Sequence, residues 1–542
     1  MKRSLTQISR TQIVKNCDER RALDEDQVHP ATPLPCSRTR KRDRAEGAEG
    51  YFDDHKVSKD LGRRALRGGV VSVAMQYGNG ALQIAAAIIL ARILAPEDFG
   101  LVAIVTVLTS FAPAIIDFGL GDATAQRSKI TPGQVSSLFW LSTAIGGTIA
   151  VVVAACSPLI AAIYREPRLG PIALCTAISF VLWGASNQHL ALLRRTMRFG
   201  TVARIQVSST FAGVAIAIVM ALCGYGYWAL VLRPITSAVW LACGAWLFCR
   251  WRPGFPVVDA EVRSMVRFGL NVVSFSATYS LARAVDRIGL SLLYRPAVVG
   301  YYQNATTLYE NSILSVLVQL HTVGSASLSK LQSNPAALRE KYEAALSALA
   351  FFMMPVAAIL SVTAEDITVL LLGQKWRAAG SLLSILALRG IFQVIEGSQG
   401  WVHLSIGRAD RWKKWGIVSL AVQLVAVLGG LPFGPEGVAA ASVIATVLLA
   451  VPSIEYAGRP IGIGAAVVMR AVNRQLIGAI ITAAAGWCLQ MTVLTGYSSL
   501  IRIFLSGTFC TCLYLAIVVG LFRLAGPVMV AGSIAQDLLK GR

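Results

Sequence analysis

The sequence predicts an all-α polytopic membrane protein of about 14 transmembrane helices: two pseudo-repeated six-helix lobes followed by two C-terminal helices. Three observations lead there. Of 542 residues, 55% are hydrophobic and only 15% charged, and the mean hydropathy is +0.59; a soluble domain carries roughly 25% charged residues. Apolar runs of the roughly 20 residues needed to cross a bilayer recur along nearly the whole chain. Finally, Arg67, Gly69, Pro96 and Gly100 recur as Arg267, Gly269, Pro296 and Gly300, an offset of 200 with no gap. In each half a basic residue and a glycine open a long helix, and a Pro turn and a Gly start the next.

Residues 1–66 are polar, of mixed charge, and carry the basic cluster Arg38, Arg40, Lys41, Arg42 and Arg44. Such a segment buries too little apolar surface to offset its ordering entropy, so a disordered cytoplasmic tail is expected. No apolar run follows its first basic residues as a signal peptide requires, and a misassigned start site accounts for the tail equally well. The N-lobe is expected over 67–252, the C-lobe over 253–458 and the two extra helices with a short cytoplasmic tail over 459–542. Spans are expected at about 69–94, 100–125, 135–163, 170–193, 200–222, 227–249, 265–293, 298–328, 343–363, 380–405, 413–432, 437–455, 475–496 and 500–522. Alternate loops are basic, among them Arg194, Arg195 and Arg198, or Arg408, Arg411, Lys413 and Lys414, which puts both termini in the cytoplasm. The stretch Asp366 to Arg377 is expected along the outer interface, with Trp376 at headgroup depth.

The formal net charge of +21 would suggest nucleic acid in a soluble protein; here cytoplasmic loops account for it, and no nucleic-acid partner is expected. Ten cysteines show no metal-like spacing, and most fall in apolar runs as small hydrophobes. There is no GxxxxGK[ST] loop and no HExxH motif, and no Ser/His/Asp set stands together. No cofactor is therefore expected. The energy source should be a Na+ or H+ gradient, or the cargo's own gradient.

Polar side chains are costly within a bilayer and normally face a bundle interior or a wet cavity. Gln76, Asn79 and Gln83 stand at helical spacing on one face of the first span, and Arg283 and Arg287, with Asp286 alongside, on the seventh. Asp117 in the second span, Arg233 in the sixth, Asn304 and Glu310 in the eighth, and Arg389, Gln393 and Glu396 in the tenth complete the candidate pathway. Taken singly, these residues suit structural ion pairs (Asp286 with Arg287, Arg389 with Glu396) as well as transport. Taken together, a hydrated pathway of net basic character accounts for them better. Arginine forks match phosphate oxygens, and uncharged donors and acceptors match sugar hydroxyls, so an anionic, sugar-bearing cargo fits.

The segments RILAPEDFGLVAI (Arg92 to Ile104), LFWLSTAIG (Leu138 to Gly146), GYGYWALV (Gly224 to Val231), AVDRIGL (Ala284 to Leu290), VGYYQNATTL (Val299 to Leu308) and LLGQKW (Leu371 to Trp376) resemble the bacterial polysaccharide transporter, or oligosaccharide flippase, family. It shares a superfamily with multidrug and toxin extruders and peptidoglycan lipid flippases. The resemblance covers about 67–525 and leaves the tail unmatched. It implies a non-enzymatic transporter in the bacterial inner membrane that moves undecaprenyl-diphosphate-linked oligosaccharide units across it by alternating access, for exopolysaccharide, capsule or O-antigen (lipopolysaccharide) synthesis. Membrane lipid, a polysaccharide polymerase and glycosyltransferases are the implied partners. The rivals are a multidrug-type exporter, which would want an acidic cavity, and a membrane-bound glycosyltransferase or ligase, which would want a long outer loop with catalytic acids.

The alternation of basic loops makes a topological prediction. Cysteines placed at Ala95 or Pro435 should react with an impermeant thiol reagent added outside, and cysteines at Ser128 or Asp410 should not; the reverse labelling overturns the arrangement.

Overall fold

Proline and capping side chains set the helix boundaries. The computed structural model describes residues 61–523 apart from 118, 128–129, 258, 316, 318–327, 329–333 and 407. All but the last few residues of the expected tail lie outside it, as do 524–542 and the end of the span expected near 328. The first half holds α1 (Leu61–Ile93), α2 (Pro96–Leu108), α3 (Ala112–Asp117), α4 (Leu120–Gln126), α5 (Pro132–Ile163), α6 (Leu169–Arg195), α7 (Phe199–Leu222) and α8 (Trp228–Phe248). The second holds α9 (Ala260–Leu293), α10 (Pro296–Tyr309), α11 (Pro335–Leu372), α12 (Arg377–Ser405), α13 (Ala409–Gly430) and α14 (Gly434–Gly458), and α15 (Ala465–Thr492) and α16 (Ser499–Leu515) follow. Four of these helices open on proline, whose missing N–H costs nothing in the first turn. Thr131 caps α5 reciprocally: its hydroxyl accepts from Gln134 N at 3.3 Å, and the Gln134 side chain accepts from Thr131 N at 3.1 Å. Asp259 caps α9 by accepting from Val262 N at 2.7 Å.

Both halves pair their helices alike. In the first, α5 packs on α6, α7 on α8, α6 on α8 and α1 on α7; in the second, α11 packs on α12, α13 on α14, α12 on α14 and α9 on α13. Taking α2 to α4 as one broken span, these pairings are third with fourth, fifth with sixth, fourth with sixth and first with fifth in each half. The halves join mainly through α2 and α10, and their contact is reciprocal. A Cβ on Gly100 would lie 1.7 Å from the Pro296 carbonyl oxygen, and one on Gly300 would lie 2.0 Å from the Pro96 carbonyl oxygen. Each repeat glycine therefore receives the other half's repeat proline, as at an isologous interface. The C-terminal helices α15 and α16 dock on α11. There Arg502 Nε stands 3.3 Å from the Asp366 carboxylate, and an Arg502 guanidinium nitrogen donates to Gln490.

Among the described residues the chain is helical, without strands, and ten stretches are long and apolar enough to cross a membrane. Asp410–Ile461, at 52 residues, contains both α13 and α14. Among the described residues, α1 and α9, which carry polar residues singled out above, are not counted, nor is α10, since only the first part of the span expected over 298–328 is described.

Two local expectations differ from the structure. The second span does not run unbroken over 100–125: it stops at Leu108, resumes at Ala112 and turns at Gly119, whose φ is +62°. Pro113 removes a donor there, and glycine accepts the left-handed turn. The stretch from Asp366 also does not lie along an interface. Residues up to Leu372 extend α11, Gly373 breaks the helix at φ +101°, and Trp376 is fully buried. Its indole donates to the Ala91 carbonyl at 2.8 Å, and its ring packs edge-on against Phe99 and Tyr301. Beside it, Lys375 Nζ donates to Leu94 O at 2.6 Å and Arg92 reaches back to Leu370 O at 2.6 Å. Trp376 thus ties the second half to the end of α1, a use that its place between Lys375 and Arg377, just after an apolar run, does not distinguish from a headgroup anchor.

The glycine contact is testable. Gly100→Ala and Gly300→Ala should each cost about 1–3 kcal/mol by forcing backbone apart, read as a lower melting midpoint of the detergent-purified protein. Gly147→Ala, with nothing within 4 Å of the new methyl, should leave the midpoint unchanged or raise it.

Candidate functional site

Five helices of the second half, α9, α10, α12, α13 and α14, enclose a cavity of about 170 Å³. Helical spacing brings each wall to it. On α9, Arg283 and Asp286 share a face; on α12, Arg389, Gln393, Glu396 and Gln399 follow at steps of four, three and three; on α13, Trp412, Gly416, Ser419 and Gln423 follow at four, three and four. Tyr309 and Glu310 enter from the end of α10, where the backbone widens into a π turn, Glu310–Leu314. Such turns re-aim side chains and are frequent at functional sites.

The charges inside are largely committed to one another. Arg283 forms an ion pair with Glu310. Arg287, behind the wall, donates to the Arg283 carbonyl at 2.6 Å and to Gln303 at 3.3 Å, and its Nε stands 3.7 Å from Asp286. Asp286 also accepts from Tyr302 at 2.9 Å. Glu396 is held by two neutral amides of its own helix, Gln393 and, at 3.0 Å, Gln399. Arg389 and Lys413 make no ion pair among the described residues, and the buried Arg389 Nε has no hydrogen-bond partner there. The cavity therefore offers two uncommitted cations.

Six of the residues singled out from the sequence line this cavity: Arg283, Asp286, Glu310, Arg389, Gln393 and Glu396. Arg287 stands directly behind it. Asn304 is buried elsewhere and donates to the Gly300 carbonyl of its own helix at 3.2 Å, beside the contact between the halves. Gln76, Asn79 and Gln83 on α1, Asp117 on α3 and Arg233 on α8 belong to the first half and do not line it. Gln76 and Gln83 are exposed and Asn79 is half-buried. Sequence reasoning missed the α13 wall because Trp412 and Lys413 adjoin a basic loop and Lys413 was counted with it. The signal was present: Trp412, Gly416, Ser419 and Gln423 repeat the stripe spacing of the first span.

A bundle of membrane-crossing helices around a polar, partly enclosed cavity is the structure of a multi-pass membrane transporter. The chain belongs to the family described as polysaccharide biosynthesis protein, whose pattern matches residues 89–381, more than half of its length. It is 25% identical to the lipopolysaccharide biosynthesis protein WzxC of Escherichia coli K12 over 375 residues, 68% of this chain and 75% of that one. To the teichuronic acid biosynthesis protein TuaB of Bacillus subtilis 168 it is 26% identical over 314 residues, 57% of this chain and 64% of that one. Its fold is shared with the lipid II flippase MurJ in an inward closed conformation, with a TM-score of 0.65 at 14% identity, covering 84% of this chain and 99% of that one. An inward-facing multidrug resistance MATE transporter gives a TM-score of 0.54 at 15% identity, covering 72% and 98%.

The committed charges yield a prediction. Arg287→Ala strands Asp286 with an uncompensated charge at a site where both side chains are under 15% exposed, a loss on the order of 3–5 kcal/mol. Membrane abundance of the variant should fall sharply in an immunoblot.

Proposed function

We propose that this protein flips undecaprenyl-diphosphate-linked oligosaccharide units from the cytoplasmic to the outer leaflet of the bacterial inner membrane, for assembly of a surface polysaccharide. Both termini lie in the cytoplasm, and a Na+ or H+ gradient or the cargo's own gradient drives the step. A polymerase and glycosyltransferases act beside it. The single observation that carries this reading is the pair of cations without an ion-pair partner among the described residues, Arg389 and Lys413, in a cavity whose other charges are the Arg283–Glu310 pair, Asp286 beside Arg287, and Glu396 held by neutral amides. That balance suits an anionic head joined to uncharged sugar. Two cations without an ion-pair partner against one such acid, Glu396, leave a basic excess, which counts against a cationic drug.

Membership of a polysaccharide-biosynthesis family and the fold shared with a lipid flippase support the same reading. In this scheme the second half grips the diphosphate through Arg389, because Arg283 and Arg287 are held by Glu310 and Asp286. A guanidinium can span two phosphate oxygens at once, while an ammonium acts as a point charge.

In a host lacking the chromosomal copy, Arg389→Ala should cut surface polysaccharide at least about tenfold, the loss of one charge-assisted contact of about 1.5–3 kcal/mol. Arg389→Lys should restore part of it, with membrane abundance of both variants near wild type. Undiminished export by a stable Arg389→Ala protein overturns the assignment.

A further inference from the structure

Where the chain passes from the first half to the second, the link is strapped to the first half. The Ser137 hydroxyl accepts from Val257 N at 2.7 Å and stands 2.6 Å from Val257 O, the Ser136 hydroxyl accepts from Gly254 N at 3.0 Å, and the Trp140 indole donates to Gly254 O at 3.0 Å. All three side chains lie near the start of α5, so the link belongs to the first half as far as Val257. The second half's α9 begins at Ala260.

One buried side chain crosses that junction. Gln134 is 4% exposed, and its two ends are committed to different halves. Its oxygen accepts from Thr131 N and closes the cap of α5. The amide nitrogen is thereby turned outward, and each of its two N–H groups meets a carboxylate of the second half, Asp259 at 2.9 Å and Glu261 at 2.8 Å. Asp259 uses its other oxygen to cap α9. The cap of α5 is thus hydrogen-bonded to the cap of α9. The Gln134 amide, with the Val262 N–H, holds the Asp259 carboxyl below the usual carboxylate range, so near neutral pH Gln134 faces an anion.

Capping alone does not need this residue to be neutral. Glutamate closes a capping box as glutamine does, and the first turn of a helix favours an acid. Facing two carboxylates the requirement is the reverse, because a donor joins them and a third carboxylate repels both. An amide also joins them reversibly: Glu261 is 60% exposed, so water replaces a parted bond at little cost.

We propose that Gln134 is a reversible latch between the two halves, and that its release opens this end of the molecule to the cargo. The opening to cargo rests on the flippase reading; the latch itself does not.

The test measures the separation of the halves in the purified full-length protein by pulsed electron resonance. Nitroxides are attached to an azide-bearing amino acid placed at Arg198, exposed at the start of α7, and at Lys414, exposed near the start of α13, so that the native cysteines stay in place. Gln134→Glu should raise the ratio of long to short distances about tenfold, the loss of one hydrogen bond to a charged group, with the melting midpoint near wild type because the cap survives. Adding Asp259→Asn and Glu261→Gln should return the ratio toward wild type, since both amides can donate to the introduced carboxylate and asparagine still caps α9. A role in capping alone predicts a wild-type ratio for Gln134→Glu, and that result overturns the latch, as does a raised ratio that persists in the triple variant. Should Gln134→Glu fail to fold, Asp259→Asn with Glu261→Gln decides: these neutral acceptors should raise the ratio about threefold, and an unchanged ratio overturns the latch. Surface polysaccharide in a host lacking the chromosomal copy separates the two readings. Export with wild type and reduced export with Gln134→Glu supports both, whereas full export by a Gln134→Glu protein whose halves have parted overturns the opening to cargo. No export with wild type sinks the flippase reading and leaves the distances to decide the latch.

Discussion

The fold depends on two backbones approaching within the reach of a missing methyl group. Gly100 faces the Pro296 carbonyl and Gly300 faces the Pro96 carbonyl, so α2 and α10 cross without side chains between them. In lipid no hydrophobic force separates helix–helix from helix–tail contacts, so association rests on close van der Waals fit, which small residues permit. The same device recurs within the first half, where Gly146 meets the Phe180 carbonyl and Gly184 the Ser142 carbonyl between α5 and α6. The reciprocity of the α2–α10 contact also explains why an offset of 200 residues was visible. Each half must supply both the glycine and the proline carbonyl, so both positions are held in both halves.

Around that axis the halves have the same helix pairing and different chemistry. α1 presents the uncharged Gln76, Asn79 and Gln83, while its counterpart α9 presents Arg283, Asp286 and Arg287. Charges within a membrane persist when they are paired or wet, and the second half does both. Arg283 with Glu310, and Tyr302 with Asp286, tie α9 to α10 and its end, Arg287 pairs with Asp286 on α9 itself, and Arg389 and Lys413 have no ion-pair partner among the described residues. Pairing removes the most conspicuous arginines of the sequence from the binding inventory and makes Arg389, which looked like a partner of Glu396, the available one.

How much was legible follows from which interactions are local. Spans, lobes and the polar faces of α9 and α12 came from apolar length and 3.6-residue periodicity, which operate within one helix. The adjacent pair Asp286 and Arg287 was legible, but the distant partners were not, because Arg283 and Glu310 are 27 residues apart and Tyr302 and Asp286 16 apart, distances that periodicity does not relate. Trp376 was misplaced for a similar reason: a tryptophan between Lys375 and Arg377 at the end of an apolar run reads alike whether it meets headgroups or the carbonyl of Ala91, 285 residues away. A second internal likeness went unread because its offset is not 200. His189 stacks on Trp246, over which Arg252 sits at 5.2 Å, and His403 lies by Tyr456, over which Arg411 sits at 4.5 Å. The histidines lie on the fourth helix and the aromatic rings on the sixth helix of each half, but Arg252 follows α8 while Arg411 opens α13, so no fixed shift relates the two groups.

The two halves also touch at the opposite end, and the chemistry of the two contacts decides which yields first. At the far end Gln134 donates to Asp259 at 2.9 Å and to Glu261 at 2.8 Å, and Arg127 stands 3.5 Å from Glu261. Glu261 is 60% exposed and Arg127 34%; such pairs contribute about 0–1 kcal/mol and weaken further with salt. At the Pro96 end the contact is backbone on backbone, sealed by the fully buried Trp376 and by Arg92 and Lys375 donating to carbonyls across the junction. Separating the halves there exposes an aromatic side chain, whose burial is worth about 1.5–3 kcal/mol, and breaks several charge-assisted hydrogen bonds at about 1.5–3 kcal/mol each. The Gln134 end is therefore held by polar side-chain contacts alone, while the Pro96 end is held by backbone packing and a buried tryptophan as well. The cavity's α13 wall starts at Trp412, in the first turn of the helix, next to Arg411 and just after the capping Arg408. Under the proposed function, a ligand entering from the basic-loop end would reach Arg389 without disturbing the stronger junction, and binding or an ion gradient would be needed only for the step that breaks it.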